Sequence, residues 1–195
     1  SLDLFNKVTP SLNASLTVNT DFSATDVDDR QVNLTRFNLF FPEKRDFFLR
    51  DTDIFQFGRI GGAGGPLDSS NNTAISGASS QSGRPFFSRK IGLSNSGQPV
   101  DIDYGGKLSG RIGRWNIGAL SIQQGQEGSI EQTNITAIRG AANILSESAI
   151  GFFASSGDPT SNKKNQVLGV DAQFVNTRLS GGRILRADAL YLQAN

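Results

Sequence analysis

The chain has 195 residues, 36% of them hydrophobic, with 19 basic against 18 acidic, which is enough for one domain with a sizeable core and implies neither a nucleic-acid partner nor an acidic substrate. It contains no cysteine, histidine or methionine, so disulfides, thiolate chemistry and imidazole as general base or metal ligand are excluded. Any catalysis would fall to carboxylates, lysine, serine or tyrosine.

The first residues, Ser1-Leu2-Asp3-Leu4-Phe5, already read as structure, with no signal peptide and no initiator methionine. From Leu12 a period of two is plain: Leu12, Ala14, Leu16 and Val18 alternate with Asn13, Ser15, Thr17 and Asn19. Asp21 to Arg30 is an acidic connection. Gln31 to Phe41 resumes as a strand whose apolar side switches from Val32 and Leu34 to Phe37, Leu39 and Phe41, the mark of a bulge or of burial on both sides. Pro42 ends that ladder because it has no N–H to donate. The charges Glu43-Lys44-Arg45-Asp46 follow, between two phenylalanine-rich runs, and Phe47 to Phe57 is expected to form a third, less regular strand.

Gly58 to Gly83 is a long surface loop of Gly, Ser, Asn and Ala, too polar to pack a core. Arg84 to Leu93 brings aromatics and cations together, and Asn95 to Pro99 is a second loop. Leu108, Gly110 and Ile112 share one face of the next strand, and Lys107, Ser109 and Arg111 share the other. Gly113-Arg114 is a tight turn into Trp115, Ile117 and Ala119. Gln123 to Gln132 is polar. Thr133–Ile144 and Ser148–Ser155 form a pair joined at 145–147, and Ser156 to Asn165 is another loop. In the last pair Leu168, Val170, Ala172 and Phe174 oppose Val167, Gly169, Asp171 and Gln173. Across the turn near 176–182, Leu185, Ala187, Ala189 and Tyr191 oppose Arg186 and Asp188.

Short turns at 113–114, 145–147 and roughly 176–182 alternate with long polar loops at 58–83, 123–132 and 156–165. In an up-and-down sheet alternate connections lie at the same end, so the short turns gather at one end and the long loops at the other. That sorting, with alternating strands, predicts an all-β fold over residues 1–195: an up-and-down antiparallel transmembrane β-barrel, or a segment of a larger one, of roughly eight to ten strands. No run approaches the ~20 apolar residues of a membrane helix, whereas barrel strands are apolar only at every second position. The contrasting reading is a one-sided antiparallel sheet in a soluble protein.

Within the barrel reading Lys107, Arg111, Asp171, Arg186 and Asp188 face the lumen. Arg36, Glu43, Lys44, Arg45 and Asp46 form a charge cluster, read as an ion-pair network holding the wall in preference to a polar site. Phe86, Phe87, Arg89, Lys90, Trp115 and Tyr191 are expected at the membrane interface, with the cations beside lipopolysaccharide phosphates or flanking an aromatic girdle. Asp26, Asp28 and Asp29, Asp51 and Asp53, and Asp101 and Asp103 lack the glycine and distant glutamate of a calcium loop. Gly61–Gly65 lacks the Gly-Lys-Ser/Thr of a phosphate loop. No cofactor, metal or catalytic residue is expected.

The motifs Thr17–Phe22, Gln31–Phe37, Phe41–Arg45 with Phe47–Leu49, Phe87–Leu93, Gly105–Gly110 and Gly113–Gly118 resemble, in this order, a family of large bacterial surface proteins. Members of that family carry an N-terminal carbohydrate-binding domain of the family-nine type and a long C-terminal outer-membrane β-barrel. The resemblance is specific up to about Leu120. It implies the opening part of such a barrel in a Gram-negative outer membrane, with the bilayer, and further strands or subunits, as partners. The ending Gln193-Ala194-Asn195 lacks a barrel's terminal aromatic and fits a piece of a larger whole. The expected role is non-enzymatic: passage or uptake of a solute, a glycan fragment among the candidates, or a structural role at the surface. A soluble secreted all-β binding or adhesin module is the alternative. An outer-membrane hydrolase has no histidine for a serine triad. If the 58–83 loop lies outside, the Pro42–Asp46 corner belongs at the short-turn, periplasmic end, and the phenylalanines of Arg36–Leu49 suggest a segment folding inward to plug the lumen.

Overall fold

The computed structural model describes residues 2–20, 43, 45–58, 85–94, 99–126, 128 and 130–195. The strand expected at 31–41, the connection 21–30, Arg84 and nearly all of the 58–83 loop lie outside these residues.

Eight strands account for most of the described chain: β1 (Leu2–Thr9), β2 (Leu12–Thr20), β3 (Ile102–Ile112), β4 (Trp115–Gln124), β5 (Thr133–Ile144), β6 (Ser148–Ser156), β7 (Gln166–Leu179) and β8 (Arg183–Ala194). They form one sheet in chain order, every neighbour antiparallel. The fold is therefore all-β and up-and-down, but the sheet is open. β1 and β8 are free edges, so the expectation of a closed barrel gives way to the segment expected beside it.

Connections at 10–11, 113–114, 145–147 and 180–182 lie at one end of the sheet, and those at 21–101, 125–132 and 157–165 at the other. The expected sorting by length is met. Gly113 (φ +59) holds the first position of its two-residue turn, where a tight hairpin favours positive φ. At the same end Gly110 passes beneath the β1–β2 turn so closely that a Cβ there would collide with Ser11 backbone. The two segments are tied by Arg111 N–H donating to Ser11 O at 2.7 Å and Ser11 Oγ donating to Arg111 O at 2.9 Å.

The ladders give every strand the same two faces. Along one run, Ala14 pairs with Leu108, Leu108 with Ala119, Ala119 with Ile138, Ile138 with Ala154 and Ala154 with Leu168. One residue further along, Ser15 meets Lys107, and further across the sheet Arg139 meets Phe153. Facing pairs share a side, so this second face gathers Lys107, Ser109, Arg111, Arg139, Asp171 and Asp188. Among described ladder positions, away from the β7–β8 turn and the irregularity at Asp103, the first face carries no charged residue.

The polar face is the covered one. Residues 43–58 and 85–94 lie on it through a one-turn helix α1 (Asp46–Leu49) and 3-10 turns at Thr52–Phe55 and Ser88–Lys90. Phe47, Phe48, Phe57 and Ile91 meet Ile102, Leu120, Ile122, Ile135, Phe153 and Val167 in one core. Each buried phenylalanine contributes about 2–3 kcal/mol. An irregularity between Ile102 and Tyr104 sends Ile102 into this core and leaves Tyr104 on the bare face.

Two expectations are corrected here. Residues 47–57 are not a strand. Strand alternation would send Phe47 and Phe48 to opposite sides, whereas one helical turn sets neighbours about 100° apart and lets both be buried. Glu43 and Arg45 do not lie at the short-turn end either. Arg45 donates to Ile91 O, and the adjoining Gly92 N–H donates to Gln124 at the last residue of β4, which is the long-connection end. From there the chain descends to Asp51, which bonds Ser109 and Asn13, and returns past Gly118 and Gly169 to Gly58.

Candidate functional site

The interior segment is fastened by charged and polar groups rising from the covered face. Lys107, fully enclosed, donates its ammonium to Phe47 O and, at 2.5 Å, to Arg50 O, carbonyls at the C-terminal end of α1 that lack helical partners. Asp51 adopts a left-handed conformation (φ 55), which an aspartate tolerates, and this reverses the chain. Its Oδ2 accepts from Ser109 Oγ at 2.6 Å and Asn13 Nδ2 at 3.3 Å. Arg50 lies 4.1 Å over the ring of Phe5.

At the long-connection end Arg45 is buried. It donates to both carboxylate oxygens of Glu43, at 2.7 and 2.8 Å, to Ile91 O at 2.5 Å and to Ser88 O at 2.7 Å, and it lies 4.3 Å over Phe48. Burial opposes ionisation of Glu43, but its bonds to Arg45 and to the Ser88 hydroxyl prevail and hold the carboxyl below its ordinary range. Asp46 is exposed and apart from this pair, and Arg36 and Lys44 lie outside the described residues. The expected five-residue cluster is, among described residues, one clamped pair.

Towards the short-turn end the interior segment and the covered face leave a cavity of about 510 Å³. Arg139 and Asp171 form part of its wall through a two-pronged pair, Nη1–Oδ1 at 2.5 Å and Nη2–Oδ2 at 2.9 Å. Arg139 also donates to Phe152 O at 3.1 Å, and Asp171 accepts from Gly58 N–H at 3.4 Å. Gly151, opposite Asp171 in the ladder, leaves room for the guanidinium, onto which any Cβ would fall. Arg111 and Asp188 line the cavity as well, and Asp188 pairs with Arg186 at 3.4 Å. All five residues expected in the lumen thus sit on the covered face. Lys107 and Asp171 carry the interior segment, and Arg111, Arg186 and Asp188 stand nearer solvent.

The residues expected at an interface divide. Phe86 packs inward, 5.7 Å from Phe55 and 6.4 Å from Phe153, and Arg89 is buried, so neither stands on an outward rim. Core packing claims them because residues 85–94 fold onto the covered face. Phe87 is half-buried and Lys90 exposed in the same segment. Trp115 and Tyr191 stand on the bare face. Tyr104 joins them and was not singled out from sequence. Asp103 accepts from Gln132 at 2.6 Å, and among the described residues no group of acidic side chains is placed to hold a metal.

A family model described as a domain of unknown function, DUF5916, matches residues 8–62. The match takes in β2, α1 and the motifs Thr17–Phe22, Gln31–Phe37 and Phe41–Leu49, while Phe87–Leu93 and Gly105–Gly118 lie beyond it. No curated protein and no solved structure matches the chain.

Proposed function

We propose that this chain is a segment of an outer-membrane β-barrel, without catalytic activity, whose bare face meets lipid and whose covered face lines a partly plugged lumen serving passage or uptake of a polar solute. The observation that carries this reading is the inversion of the sheet. Its uncharged face stays open, with Leu168 59% and Val170 55% exposed, while lysine, arginine and aspartate lie under protein. In water the hydrophobic effect favours the opposite arrangement. In lipid it is the expected one.

The aromatics support it. The chain's single tryptophan and both tyrosines stand on the bare face, Trp115 at the short-turn end and Tyr104 and Tyr191 towards the other. Tyr104 lies eight residues along β3 from Ile112, the partner of Trp115. That spans roughly 26 Å along a strand, or about 20 Å at a tilt of ~40°, close to the ~25 Å apolar band of such barrels. No helix among the described residues is long and apolar enough to cross a membrane, so strands are the elements that would cross.

Fractionation of cells expressing the chain, with gel migration before and after boiling, tests the reading. Recovery in the detergent-extracted membrane fraction with heat-modifiable migration is expected. A monomer released without detergent would overturn it in favour of a soluble binding module.

A further inference from the structure

Resting on that reading, we infer that the interior cavity binds a small, electrically neutral, hydroxyl-bearing solute. The charges of the wall are internally matched. Asp171 is engaged by Arg139, Asp188 by Arg186, and Asp51 by Ser109 and Asn13. An anion would meet carboxylates that outnumber the lining guanidiniums, and a cation would have to displace one of the existing partners. A neutral solute disturbs neither.

Carboxamides supply the remaining recognition. Asn116 and Gln56 line the cavity and make no side-chain hydrogen bond within the described residues, so each offers two donors and an acceptor to whatever enters. A hydroxyl group, donor and acceptor at once, suits both. Arg139 adds a second, independent sign. It is 5% exposed, and its Nε is buried with no hydrogen-bond partner among the described residues. A buried donor left alone is costly, and an acceptor oxygen on a bound solute would satisfy it. Ile54 and Ala141 provide short apolar surfaces between these groups, and about 510 Å³ falls within the range of small-molecule sites.

The test is calorimetric titration of the detergent-solubilised protein with maltotriose and sorbitol as neutral probes, citrate as anion and spermidine as cation. Saturable binding of a neutral probe, with neither charged probe bound, is expected. Ala141→Phe, which fills the space beside Asn116, and Asn116→Leu, which removes the amide, should each weaken that binding at least tenfold while strand content by circular dichroism is kept. If Ala141→Phe fails to fold, Asn116→Leu carries the test alone. No saturable binding of either neutral probe, preference for citrate or spermidine, or undiminished binding in the folded variants would overturn the inference. Failure here is separable from failure of the membrane reading: a membrane-resident protein that binds nothing sinks only the site, and a soluble one that binds sinks only the barrel.

Discussion

The two faces of the sheet are built from the same strands, one residue out of step, yet they obey different solvents. The covered face mixes an apolar half, where Phe47, Phe48 and Phe57 pack, with a polar half of paired charges. The bare face is uniformly uncharged and open. Burial alone therefore does not follow hydrophobicity in this molecule. What distinguishes the faces is whether protein or the surroundings satisfies each group, and the sharpest way to separate them is to exchange their chemistry.

Breaking the covered face should have the largest effect. Arg139→Met strands Asp171, 17% exposed, without its partner, and should cost about 3–5 kcal/mol in denaturant unfolding. The double variant Arg139→Met with Asp171→Leu should recover most of that loss. A double variant as unstable as the single would show that the charges themselves, not the stranded partner, hold the interior segment.

Placing a charge on the bare face comes next. Ile138 lies on the run midway between the levels of Tyr104 and Trp115. Ile138→Arg should cost about 2–4 kcal/mol in a bilayer. At a water-exposed position the same change should fall within about 0.5 kcal/mol. Unfolding measured in lipid vesicles decides, and a negligible cost would remove lipid from this face.

A milder change probes the approach of the interior segment. A Cβ at Gly118 would meet Ile54 Cγ2 at 2.8 Å and Phe55 Cζ at 2.9 Å, so Gly118→Val forces the 3-10 turn away and should cost about 1–3 kcal/mol. A matching valine at Gly106, on the bare face, has only Leu16 Cδ2 at 3.5 Å as a neighbour and should be tolerated. Equal losses at the two glycines would show a general backbone demand in β3–β4, and the contrast between faces would then fail as its explanation.

From Lys107 onward the fold was legible because hairpins are local: the alternation, the Gly113 turn and the short connection at 145–147 lie within the strands they join. Arg139 was not legible. Ala137, Ile138, Gly140 and Ala141 around it hide the alternation, since small residues suit either face. β1 was also indistinct, because Phe5 on the covered face breaks the contrast with Leu2 and Leu4. Residues 47–57 misled for a different reason. Their phenylalanines suit strands by propensity, but their conformation is set by Lys107, Asp51 and the sheet beneath, contacts more than fifty residues away in the chain.

The smallest effect concerns the clamp that closes the apolar half. Glu43 titrates below its ordinary value of 4.5 because Arg45 and Ser88 favour its charged form despite burial. A carboxyl depressed in the folded state contributes stability that is present above its unfolded value and lost as pH falls through the lower folded one. Stability should therefore hold above pH 4.5 and decline beneath it. Asp158, held down against burial by Ser161 and Thr160, and Glu147, held by Thr177, are depressed too and add to the same decline. Subtraction isolates the clamp: Glu43→Gln should lower stability at neutral pH and flatten the acid limb, so that the two proteins converge as pH falls. Parallel curves would mean that Arg45 is held by the Ile91 and Ser88 carbonyls alone. The covered face would then be closed by neutral hydrogen bonds at this end and by charge only around Lys107 and Arg139.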